Sequence, residues 1–215
     1  MANVQLWKNV QVALQSALAT ALTITGITKA NPGVVTYTGT DPANGDFVLL
    51  TVLGMHQLND KIVRVADVDT GANTFELEGV DTTLFDTFTS GTAEVITFGT
   101  SITTALSINS SGGDFSFIDT TTIHDNSQQQ MPGLPSATVF NMDHIWDPAD
   151  AGLIAMKYAS DNQLKRAIRI TWPNGYKFLA TGYVGASLAP GGSAQDKVTT
   201  PSVLTINGKP TAYAT

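Results

Sequence analysis

The sequence predicts a mainly β protein in two parts, with a single flanking helix. Three observations lead to this. Short alternating or β-branched runs recur between clusters of Gly, Pro, Asn and Asp. Only one segment, near Asp147, carries good helix-start signals. The net negative charge is confined to the middle of the chain.

The chain has 215 residues, which permits one large or two small domains. Apolar residues make up 42% and charged residues 13%. That is about half the usual charged share, as expected of a chain that hides surface in an assembly. Net charge is −7. Between Ile24 and Phe98, ten acidic residues face Lys29, Lys61 and Arg64, giving −7; the remaining eight Asp balance eight Lys and Arg. The composition therefore divides the chain into an acidic middle and a neutral remainder. Neither part is basic, which argues against a conventional DNA-binding face. With no cysteine, disulfides, zinc–thiolate sites and cysteine nucleophiles are excluded. No basic-then-apolar leader and no run of roughly 18 apolar residues occurs, so neither signal peptide nor membrane span is expected.

Val10, Leu14, Leu18 and Leu22 recur every four residues, which fits a helix, yet Val10–Leu14 also alternates as a strand does. The strand is preferred. In the middle segment, Val34–Thr38, Phe47–Val52, Lys61–Val68, Thr74–Glu78 and Thr92–Phe98 read as strands, separated by Asp41–Asp46 and Asp69–Asn73. Their spacing suggests a small barrel or sandwich.

Beyond Ile102, Phe115 and Phe117 alternate around Ser116. Asp119–Gly133 is polar and turn-rich, a structureless loop of the kind that is functional or mobile. Leu134–Met142 returns to a strand pattern. Asp147 is placed to cap a helix, with Pro148 and Asp150 in its first turn and Asn162 as its stop. Leu153, Ile154, Met156 and Tyr158 form its expected apolar face, weakened by Gly152. Ala167–Trp172 and Tyr176–Ala180 flank a hairpin turn at Trp172, Pro173, Asn174 and Gly175. After Pro190–Ser193, Thr199–Asn207 is the last strand.

The order of helix, strand, Trp-Pro-Asn-Gly, strand, Gly-rich loop and Thr199–Thr211, with Asn207-Gly208-Lys209-Pro210, resembles the major tail tube proteins of long-tailed, non-contractile bacteriophages. The resemblance covers roughly Ile102–Thr215 and the first strand. The segments Ile24–Pro32, Asn44-Gly45-Asp46, Leu58-Asn59 and Asn73–Leu77 resemble small β-barrel modules of phage structural proteins. These are likened to a half-domain of ubiquitin-activating enzymes, a scaffold that brings no chemistry here.

The resemblance implies a tail-tube β-sandwich or half-barrel over residues 1–23 and 99–215, with a β-barrel-like decoration domain inserted at 24–98. It implies hexameric rings stacked into a conduit for DNA ejection, in a virion tail assembled in the cytoplasm of the infected bacterium. Partners would be further copies, the tape measure, terminator and distal tail proteins, and DNA passing through the lumen without specific binding; no membrane is involved. The long loop would make inter-subunit and inter-ring contacts through Asp119, Thr120, Thr121, Thr122, Ile123, His124, Asp125, Asn126, Gln128 and Met131. Asp114, Ser116 and Asp119 are candidates for the lumen. Removing the insert would leave a thinner but intact tube.

No cofactor, metal or catalytic residue is expected. Asp67–Gly71 with Glu78 matches a calcium loop only in outline, because its glycine is one position early. His56, His124 and His144 are too far apart for helical metal spacing. No Gly-x-Ser-x-Gly elbow occurs. The alternative reading is a virion-surface module that binds carbohydrate or a host receptor, although the insert lacks a cluster of aromatics. A hydrolase ranks third.

Overall fold

The structure, a computed structural model, describes residues 4–214. Residues 1–3 and 215, the ends of the expected tail-tube part, lie outside the described residues. Sixteen strands and one helix follow in order: β1 (Gln11–Leu14), β2 (Ala17–Leu18), β3 (Leu22–Ile27), β4 (Val34–Thr38), β5 (Phe47–Leu53), β6 (Lys61–Asp69), β7 (Thr74–Leu77), β8 (Ser90–Thr97), β9 (Thr100–Ile102), β10 (Ala105–Ser111), β11 (Phe115–Asp119), β12 (Gln130–Pro135), β13 (Val139–Ile145), α1 (Ala151–Asp161), β14 (Lys165–Thr171), β15 (Lys177–Ala186) and β16 (Thr199–Tyr213). The preference for a strand at the N-terminal segment agrees with β1.

A seven-stranded antiparallel sheet runs β10-β13-β16-β15-β14-β1-β9 and curves into a half-barrel. One face holds Val12, Leu14, Ile102, Met142, Ile168, Ile170, Val184, Leu204 and Ile206, packed with Met156 and Ala159 of α1. The second sheet closes on itself, β8-β3-β4-β7-β6-β5 and back to β8, with β2 also on β8. Closure follows from the inward set Leu22, Ile24, Val35, Tyr37, Val48, Leu50, Val63, Val65, Phe75 and Leu77, at alternate positions along each strand. The chain leaves the large sheet after β1 and returns at β9, and these two strands pair (Val12 opposite Ile102). The barrel's first long strand starts at Leu22, two residues before the expected boundary.

A third apolar cluster joins the two sheets. Phe47, Ile62 and Ile96 of the barrel meet Ala167, Leu179 and Tyr213 of the large sheet. The Arg64 N–H donates to the Tyr213 hydroxyl at 2.9 Å, and the Arg64 guanidinium lies 4.9 Å from that ring's centroid. Thr211 Oγ1 donates to the Ile62 carbonyl at 2.7 Å, and Lys165 pairs with Asp60 at 3.0 Å. Gly208 is required here, since φ is +71° and a Cβ would stand 2.6 Å from the Asp60 carbonyl oxygen. The last strand therefore continues six residues past Asn207, because its far end has the barrel to pack against.

The helix differs from its expectation in two ways. Its N-cap is Asp150, whose Oδ1 accepts from Leu153 N at 2.8 Å, while Asp147 only closes the preceding turn on Ala149 N. Its buried face is Gly152, Leu153, Met156 and Ala159, leaving Ile154 and Tyr158 exposed. Gly152 is the reason for this rotation: a Cβ there would lie 2.9 Å from Ile102 Cα, so only glycine lets α1 approach β9. Asp150 Oδ2 also accepts from Thr103 Oγ1 at 2.7 Å. Asp150→Ala is expected to cost about 1 kcal/mol, lowering the melting temperature by roughly 2–4 °C in a calorimetric scan.

Among the described residues no helix is long and apolar enough to cross a membrane.

Candidate assembly interface

Residues Asp119–Gly133 do not form a structureless loop. Asp119 ends β11, Gln130–Gly133 belong to β12, and the two strands form a separate hairpin arm with a polar tip at 120–129. Leu134–Met142 is correspondingly not one strand: Leu134 and Pro135 finish the arm and β13 begins at Val139. The break is set by the arm's base, where Ser136 N donates to the Asp114 carbonyl and Gly113 N to Ser136 Oγ.

Both faces of the arm are apolar and exposed. Phe115 and Phe117 stand opposite Pro135 and Pro132, and Ile118 stands opposite Met131. The prolines lack the N–H a longer sheet would demand, but a two-stranded ribbon tolerates them. Phe117 is 64% exposed, Leu134 85% and Ile123 97%. No arm residue belongs to any of the three apolar clusters. A lone hairpin is at best marginally stable in water, so an arm of this kind wants a partner surface. Polarity patterns hid it from sequence reading: the recognisable signal was Phe115-Ser116-Phe117, but the pairing strand contains two prolines and a glycine.

The tip is ordered by its own polar groups. Thr120 N donates to the Gln129 carbonyl, and Gln128 Nε2 reaches Asp119 Oδ2 at 3.4 Å. Thr121 holds the Asp119 carboxyl below its usual range, and Thr122 does the same for Asp125. Ile123, His124 and Asn126 face solvent. Asp114, Ser116 and Asp119 thus sit on the arm or at its foot, and none lies on the seven-stranded sheet.

The large sheet's other face is split. Ala167, Leu179 and Thr181 are covered at the barrel end, and Arg169 lies over the Phe98 ring at 4.9 Å. Burial pushes the Arg169 pKa down. At the other end the face is open and carries a polar patch, Ser107 opposite Asp143 and Asn109 opposite Asn141 with Thr205 on β16, beside the apolar side chains of Val203, Ile145 and Tyr183. Ser107 Oγ donates to Asp143 Oδ2 at 2.9 Å. No Lys or Arg lies on β10, β13 or residues 199–207. Among the described residues each outermost strand, β10 and β9, is paired on one side only.

His144, on β13, is fully buried, with Nε2 2.7 Å from Ser202 Oγ and Nδ1 3.4 Å from Thr104 Oγ1. Burial lowers its pKa, opposed in part by Asp150 and Asp143. Above pH 6.5, its ordinary value, both folded and unfolded states hold it neutral. Below that the unfolded chain takes up the proton first, so stability falls as pH falls. Melting temperature is expected to drop between pH 7.5 and 5, and less steeply in His144→Gln.

The hairpin turn forms as expected. Gly175 N donates to the Trp172 carbonyl, Gly175 has φ +89°, and Trp172 packs on Trp7 with centroids 5.5 Å apart. The outline of a calcium loop dissolves into a turn: Asp69 Oδ1 accepts from Gly71 and Ala72 N, and Glu78 pairs with Arg64. Among the described residues no group of three His, Asp or Glu is placed to hold a metal ion.

No curated protein matches the chain. A family model described as phage tail tube protein matches residues 53–215, from within β5 to the end of the sequence. That span includes the second half of the barrel, the whole arm, the helix and all but β1 of the large sheet. Three-quarters of the sequence is matched by one model, in a chain whose fold is a β half-barrel carrying an exposed apolar arm, and the chain therefore belongs to the phage tail tube protein family.

Proposed function

We propose that this protein is the major tube subunit of a phage tail, assembling into hexameric rings that stack into the conduit for DNA ejection. The observation that carries this reading is the arm, an exposed apolar hairpin that joins no apolar cluster among the described residues. The free edges of β10 and β9 add backbone donors and acceptors that a neighbouring copy would satisfy. Head-to-tail contacts that close give rings, and contacts between their ends give a stack.

On this reading the lumen wall is the open face around the polar patch of Ser107, Asn109, Asn141 and Thr205, with Asp143 its one acid. A wall without Lys or Arg forms no phosphate pairs, and so does not hold back passing DNA electrostatically. The barrel, fixed to the other end of the sheet, carries the acidic surplus away from that wall. Tape measure, terminator and distal tail proteins would meet the ends of such a tube, built in the infected cell's cytoplasm. The carbohydrate-binding alternative gains nothing, because Tyr37, Phe47 and Phe75 of the barrel are buried.

Electron microscopy of the purified protein tests the reading. Stacked rings of six with an open lumen are expected. A protein that stays monomeric at high concentration would sink it.

A further inference from the structure

Arg169 is a cation without a carboxylate. Its Nε is buried and has no hydrogen-bond partner, and it enters no ion pair among the described residues. Desolvating a guanidinium in this way is costly, and the stack on Phe98 offsets only part of that cost. Two other half-buried cations are satisfied, Arg64 by Glu78 and Lys165 by Asp60, whereas Lys61 and Arg166 also enter no ion pair among the described residues; Arg169 differs from those two in having a guanidinium nitrogen buried without a partner. Arg169 opens on a cleft of about 380 Å³, bordered by Gln11, Phe98, Ser101, Thr103 and Thr171. A guanidinium among hydroxyl groups, in a space of side-chain size, is the chemistry of a carboxylate receptor.

The arm offers the complement. From Gly112 to Pro135 it carries Asp114, Asp119 and Asp125 and no Lys or Arg. Asp125 accepts both hydrogen bonds from Thr122 through Oδ2, which leaves Oδ1 open. It stands at the tip of the element best placed to reach another molecule.

Building on the reading of the arm as an inter-subunit contact, we propose that the Arg169 cleft of one copy receives the arm tip of a second copy, with Asp125 as the pairing carboxylate. The contact joins different surfaces of the two molecules, so it propagates from copy to copy and does not end at a dimer.

The test uses the full chain with D125N, D125R, R169D and the double exchange R169D/D125R, read by pelletable polymer and electron microscopy. Circular dichroism melting checks each fold. D125R changes an exposed residue and is expected to melt like the parent while losing polymer at least about tenfold; D125N loses less. The double exchange is expected to regain most of the polymer that R169D loses. D125R assembling like the parent would overturn the pairing, as would a folded double exchange no better than R169D. An arm deletion separates the two ideas. If it still polymerises, the arm reading itself fails. If it blocks assembly while D125R does not, only the Arg169 pairing fails.

Discussion

Replacing residues 115–135 by a two-residue Asn-Gly turn is expected to give a folded protein that no longer polymerises. The base of the arm survives such a change, because Ser136 N still reaches the Asp114 carbonyl and Gly113 N still reaches Ser136 Oγ. No arm side chain contributes to any core cluster, so the change in stability should stay within about 0.5 kcal/mol, the usual range for surface changes. Assembly has no such reserve, since the arm's Phe115, Phe117, Ile118 and Leu134 are the apolar surface it would bury between copies. Circular dichroism should show an unchanged melt, and gel filtration a single monomer peak at concentrations where the parent forms tubes. Tubes of normal length from the shortened protein would show that the arm is not the joint.

Tyr213→Ala is expected to be the most destabilising single substitution at the junction of the two sheets. The ring packs on Phe47 with centroids 5.9 Å apart and carries the Arg64 guanidinium on its face. Its hydroxyl also satisfies a backbone N–H of β6. Truncating an aromatic side chain this deeply buried costs about 3–5 kcal/mol, or roughly 10 °C or more in melting temperature for a chain of this size. Tyr213→Phe isolates the hydrogen bond and should cost about 1–3 kcal/mol, because the Arg64 N–H loses its acceptor. A loss of less than about 2 °C in Tyr213→Ala would mean that the sheets melt independently. The same junction bears on the expectation that the barrel can be removed to leave a thinner tube. Excising it uncovers Ala167, Leu179 and Tyr213 together and leaves Lys165 without Asp60. An intact large sheet is then expected only if those apolar residues are replaced by polar ones as well.

Much of this was readable along the chain. Five of the six strands that close the barrel, β4 to β8, could be placed because each is a local apolar or alternating run closed by Gly, Asn or Asp turns; β3 could not, because Leu22 falls in a repeat that fits a helix as well. The Trp172–Gly175 turn could be placed because Pro and Gly restrict the backbone whatever surrounds them. The division of charge, the absence of cysteine and the tail tube resemblance were likewise properties of the sequence alone.

Tertiary structure decided what depends on neighbours distant in the sequence. The helix cap moved from Asp147 to Asp150, and the buried face rotated towards Ala159, because Gly152 lets α1 settle against β9 and Thr103 reaches the cap. The arm became a hairpin through pairing between segments whose prolines conceal any strand period. Residues beyond Asn207 became strand because the barrel gives them a surface, and Gly208 acquired its role only when Asp60 came against it. Local propensity acts over a few residues and can be read in order. Burial is a property of the assembled surfaces, which is why the exposed arm, the sheet junction and the unpaired Arg169 emerged only once the chain was folded.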